Sequence, residues 1–138
     1  MKLYQDKLAN THVVTGYADD HVMINKVRHE GNLLVSAERV VTGWAAGAAG
    51  DLSGLRHEDL VAATELGGEI LLVGTGRRQR FPSPEILRGL VEARIGFEFM
   101  DFAAACRTYN ILVAEGRAVV LALLHEHREQ PTDAATKR

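Results

Sequence analysis

With one cysteine, Cys106, in 138 residues, the chain cannot form an internal disulfide, so packing and hydrogen bonds must hold its fold. Long apolar stretches are missing as well. The longest uninterrupted run, residues 118–124, falls far short of the ~20 residues that span a bilayer as a helix. Residues 1–12 lack the apolar core of a secretory signal. These absences argue for a cytoplasmic protein without direct membrane insertion. Excess positive charge is absent too: 16 Lys and Arg stand against 18 Asp and Glu, for a net charge of -2. Whole-molecule attraction to nucleic acid is thereby excluded, because phosphate-backbone binding needs a basic surplus.

Catalytic signatures are also lacking. The glycines of Ala45-Ala46-Gly47-Ala48-Ala49-Gly50 are not followed by the Lys-Ser/Thr of a phosphate loop. That run reads instead as a mobile connection, too small in side chain to pack and too glycine-rich for a helix. There is no Ser-centred nucleophile elbow and no spaced pair of carboxylates. His125 and His127 have a metal-compatible spacing on an extended strand, but two ligands do not make a site, and they read as a solvated strand-end pair. No cofactor and no metal is expected, and a binding or assembly protein is favoured over an enzyme.

What remains is an ordinary globular composition, 46% hydrophobic and 25% charged, at single-domain length. Residues 1–128 are expected to form one domain and the polar residues 129–138 a disordered tail. The front reads as strands separated by turns: 21–25, 33–35 and 40–42, with Gly16, Asp19 and Asp20 as turn residues before the first. Trp44 reads as an anchor at the core edge. The back alternates helices at 58–66, 84–93 and 102–115 with extended runs at 70–73, 96–100 and 118–124. Continuous apolar strands between helices predict an α/β fold, with a hairpin-rich N-terminal part and a βαβαβ-like C-terminal part around a mostly parallel sheet.

The strongest local feature is the segment from Gly74, Thr75 and Gly76 through Arg77, Arg78, Gln79 and Arg80 to Phe81, Pro82, Ser83 and Pro84. It follows a buried strand and precedes a helix, with Ser83 suited to the N-cap and Pro84 to the first turn. Glycines, free amides and three guanidinium groups at a strand's carboxyl end suit an anion. The string is no dinucleotide fingerprint, since Gln79 replaces the third glycine. A tight turn with solvated or carboxylate-paired arginines is the other reading. On the third helix, Asp101 suits the N-cap, and Phe102, Cys106, Tyr109 and Val113 form a core-facing stripe. Cys106 thus reads as a structural thiol, while Arg107 and Asn110 share a polar face where a salt bridge is favoured for Arg107 over an anion contact.

Residues 74–84, 104–112 and 115–117, above all Ala104-Ala105-Cys106-Arg107-Thr108-Tyr109-Asn110, resemble a small family of unknown function. That family also contains mitochondrial complex I assembly factor 3 and the adipogenesis-associated domain protein of animals. The resemblance runs from about Asp6 to Leu124, and Phe102 departs from it where threonine is commoner. It implies a single three-layer domain with mixed β-sheets and helices on one side. It also implies assembly work through protein contacts, with no established catalysis or cofactor. Two functional expectations result. In one, a protein partner docks at the loop of Arg77, Arg78 and Arg80 or at an open sheet edge. In the other, a small molecule or anion binds between Gly74–Arg80 and Cys106–Asn110.

Overall fold

The N-terminal third folds on itself as consecutive hairpins. The computed structural model describes residues 10–48 and 52–125. Strands β1 (Val14–Ala18), β2 (His21–Ile24) and β3 (Val27–His29) form an antiparallel sheet in that order. The β2–β3 turn is Asn25-Lys26, both at positive φ, 50° and 70°, a geometry whose twist matches a two-residue hairpin. Asn25 therefore ends the expected strand 21–25 one residue early. Gly16 is no turn residue but lies inside β1, where the register slips between Val14 and Gly16. A Cβ there would sit 3.4 Å from Met23 Cγ, and a glycine in a strand commonly marks such a bulge.

The remaining strands, β4 (Leu33–Val35), β5 (Val40–Thr42), β6 (Ile70–Gly74), β7 (Gly96–Met100) and β8 (Val119–Leu123), form one mixed sheet in the order β5-β4-β8-β6-β7. Strands β6, β7 and β8 are parallel, and β4 is antiparallel to both its neighbours. The helices are α1 (His57–Thr64), α2 (Pro84–Glu92) and α3 (Phe102–Ala114). The βαβαβ reading holds: α2 joins β6 to β7, and α3 carries the chain back across β6 to β8.

That reversal decides where the helices go. Crossovers between parallel strands are right-handed, so steps in opposite directions put α2 and α3 on opposite faces. On one face Leu33, Val35, Leu72, Leu121 and Leu123 pack against Cys106 and Tyr109 of α3 and against Val22 and Ile24 of the hairpin sheet. On the other, Leu34, Leu71, Val73, Val120 and Ala122 meet Trp44, Leu60, Ala63 and Leu90. Helices on both faces correct the one-sided arrangement that the resemblance implied. The cause is in the strands themselves: β4 and β8 are buried at every residue, and both sides of such strands need cover.

The expected mobile connection is packed where it is described. Ala45 and Ala48 are buried, and residues 46–48 and 52–54 form two short 3-10 turns. A Cβ on Gly54 would collide with the Gly47 backbone, so small residues here permit close approach of one turn to the other. Trp44 is buried and its indole N–H donates to the Asp59 carbonyl at 2.8 Å, as an anchor should. Residues 49–51 and 126–138, His127 included, lie outside the described residues.

Candidate functional site

The parallel strands β6, β7 and β8 end on the same side of the sheet, and the chain reverses direction there. In open α/β sheets this is where a crevice forms. A hollow of about 310 Å³ occupies the place, lined chiefly by Tyr17, Asp19, Gly76, Arg77, Asp101 and Phe102. Three chain segments contribute: the end of β1 with the turn after it, the loop after β6 and the start of α3.

The loop is pinned from within. Gly74 has no room for a side chain, since a Cβ would lie 2.9 Å from Leu123 Cδ2 and 3.2 Å from Ala105 Cβ. It lets α3 approach β6. The Thr75 hydroxyl is buried, donates to the Arg78 carbonyl at 2.6 Å and accepts the Arg80 N–H at 3.0 Å. Its backbone N–H donates to the Met100 carbonyl at 2.8 Å. Gly76 stands at φ 91°, a conformation open to glycine, and its carbonyl accepts the Phe102 N–H at 2.7 Å. Gly74, Thr75 and Gly76 thus shape the loop.

The three arginines part company. Arg77 turns to the hollow and donates to Asp19 Oδ2 at 2.6 Å across 58 residues of sequence. Arg78 is exposed. Arg80 and Ser83 line a second hollow of about 340 Å³ with Leu52, Leu55, Phe81 and Ile86. Ser83 holds the N-cap position of α2, with Pro84 following, but its hydroxyl makes no capping bond. The Gln79 side chain donates to the Phe99 carbonyl at 2.8 Å, capping the outer edge of β7.

Along α3 the stripe Phe102, Cys106, Tyr109 and Val113 is buried. Burial pushes the Cys106 thiol up to about 12, so it is a protonated core group and no nucleophile at neutral pH. Arg107 donates to the Tyr17 hydroxyl at 3.4 Å and makes no ion pair among the described residues. Asn110 works as a piece of backbone: its Oδ1 accepts the Val14 N–H at 2.9 Å and its Nδ2 donates to the Val14 carbonyl at 2.8 Å. Asp101 caps the helix as its position implied, with Oδ1 accepting the Ala104 N–H at 2.9 Å.

His125 corrects the expectation of a solvated pair. It is buried, its backbone N–H donates to Asn32 Oδ1 at 2.8 Å, and its ring packs on Phe102 with centroids 4.8 Å apart. Among the described residues no three His, Cys, Asp or Glu side chains gather as a metal site. The residues missed from sequence were Asp101 and Phe102, whose spacing points only to a helix cap and a core stripe, and Tyr17 and Asp19, which reach the hollow through hairpin folding. The one local signal of Tyr17 and Asp19 was an aromatic side chain beside an acidic turn.

Residues 14–124 match the family described as Protein of unknown function (DUF498/DUF598). The chain belongs to that family. The chain is similar to the "13 kDa major membrane protein" of Francisella tularensis subsp. holarctica (strain LVS), 31% identical over 121 residues, which make up 86% of this chain and 95% of that protein. Homo sapiens NADH dehydrogenase (ubiquinone) 1 alpha subcomplex assembly factor 3 is 31% identical over 127 residues, 90% of this chain and 66% of the human protein. The crystal structure of a Bordetella parapertussis protein shares the fold with a TM-score of 0.74 and 42% identity, covering 83% of this chain and 96% of that one. Among the described residues no helix is long and apolar enough to cross a membrane.

Proposed function

We propose that this chain is a non-catalytic binding protein of assembly-factor type, and that it captures a protein partner in the cytoplasm through the face carrying Arg78, Arg80 and Phe81. One observation carries the reading. Phe81 is 68% exposed on a loop that Thr75 holds by three hydrogen bonds, beside two guanidinium-bearing residues and an apolar hollow. Aromatic and arginine side chains dominate the energetics of protein interfaces, and a rigid loop loses little entropy on docking. Strand addition at β7 is disfavoured, because Gln79 already occupies the Phe99 carbonyl. The relationship to an assembly factor supports the same direction, as does the buried state of Cys106.

The test is a photoreactive benzophenone side chain in place of Phe81, irradiated in cells that express the protein. A dominant protein adduct is expected that fades when Arg78 and Arg80 are both alanine. Adducts identical to those from position Glu38, on the far side of the sheet, would overturn the docking face. Soluble and membrane fractions of the same sample report the compartment.

A further inference from the structure

The hollow at the carboxyl ends of β6 and β7 has a chemistry separate from the Phe81 face. We propose that it binds a small planar organic acid whose single carboxylate takes the place of the Asp19 carboxylate on Arg77. The cavity volume of about 310 Å³ falls at the lower end of small-molecule sites, which suits a ligand of roughly one ring. Its apolar wall is the Tyr17 and Phe102 rings, tilted by 56° with centroids 6.2 Å apart, together with Ala18 and Ala103. Tyr17 is 41% exposed, so its ring is half available to a planar body.

Arg77 supplies the polar end. Its guanidinium holds a carboxylate at 2.6 Å, and that carboxylate belongs to a side chain 63% exposed, paired with one 53% exposed. An ion pair so open to water is worth little, and a ligand carboxylate can take the same donors while Asp19 rotates outward into solvent. Internal pairing of this kind is an exchangeable plug. A cation would instead meet two guanidinium groups, Arg77 in the lining and Arg107 at the Tyr17 hydroxyl. Multiply charged anions are disfavoured for the opposite reason, since Asp101 stays in the lining after Asp19 is displaced. Asp101 is compatible with a monoanion because it is engaged at its own helix start, where the α3 dipole offsets its charge.

Titration of the isotope-labelled protein with benzoate, followed through its amide NMR spectrum, tests the site. Benzoate should shift the amides of Tyr17, Gly76 and Ala103 saturably in the wild-type chain. Asp19→Asn, which removes the competing carboxylate and keeps the side-chain size, should tighten binding by about threefold to fivefold. Arg77→Gln should abolish the shifts, and Arg77→Lys, which keeps charge without the fork, should weaken them by about tenfold. The same spectra show whether each variant is folded, and two Arg77 variants guard against loss of either. Acetate, inorganic phosphate and benzylamine are the comparison ligands. Equal response to phosphate or benzylamine, no tightening in Asp19→Asn, or unchanged shifts in a folded Arg77→Gln would each overturn the proposal. The partner reading rests on Arg78, Arg80 and Phe81 and survives either result.

Discussion

Cys106 and Tyr109 carry the pH response of the core. Burial raises the thiol from 9.0 to about 12 and raises the Tyr109 hydroxyl from 10.0 as well. Below pH 9 both groups are protonated in the native and the unfolded chain and contribute nothing. Above it the unfolded thiol ionises while the native one keeps its proton, so the unfolded state binds fewer protons and stability is lost as pH rises. The slope for one such group is about 1.4 kcal/mol per pH unit between pH 9 and 12, with Tyr109 joining from pH 10. Urea titrations across pH 8–11 should show this decline, and Cys106→Ala should flatten its first part while lowering stability at neutral pH, where the lost packing is the whole effect. An alkaline slope identical in that variant would rule the thiol out as its source. Iodine-free thiol alkylation at neutral pH should likewise follow unfolding and not the native surface.

Helix α3 is the element that joins the two sheets. Its buried stripe lies on β6 and β8, while Asn110 on the flank pairs with both backbone groups of Val14 in β1. A carboxamide is suited to that work because it has one acceptor and a donor in the same plane, as a neighbouring strand would. Asn110→Ala should cost about 2 kcal/mol, roughly 1 kcal/mol for each hydrogen bond lost. Amide exchange at Val14 should rise more than exchange in β6 or β8. Asn110→Asp should fall between, because a carboxylate still accepts the Val14 N–H but cannot donate to its carbonyl. Equal acceleration in all strands would mean that Asn110 affects the whole fold and not the edge of β1.

At the scale of the molecule, two apolar layers share one sheet. Alternate residues of β6 and β8 belong to opposite layers, Leu72 and Leu121 to one and Leu71 and Val120 to the other. Neither layer can lose its packing without exposing the strands of both, so the described residues should unfold as one cooperative unit. Trp44, the single tryptophan, reports on the α1 side, whereas far-UV circular dichroism reports on all helices and strands. The two signals should share one urea midpoint. A separate, earlier tryptophan transition would show that the layer of α1 and α2 detaches first.

Much of this organisation was legible from residue order. The runs of β2 and β4 to β8, the α3 stripe, the Asp101 cap and Pro84 in the first turn of α2 depend on neighbours within a few residues, and local spacing records such relations directly, whereas the polar, largely exposed β1 and β3 carry no such pattern. The position of the Gly74–Arg80 loop at a strand's exit was legible for the same reason. Its division was not. Arg77 finds Asp19 58 residues away, Asn110 finds Val14 96 residues away, and Asn32 takes up the His125 amide across 93. Those pairings exist because the sheet order and the crossover hand bring distant segments to one edge, and a one-dimensional pattern does not state which segments meet. Residue order determined the elements and the chemistry each could offer; tertiary structure decided which arginine faces the hollow, which histidine is buried and which faces the helices cover.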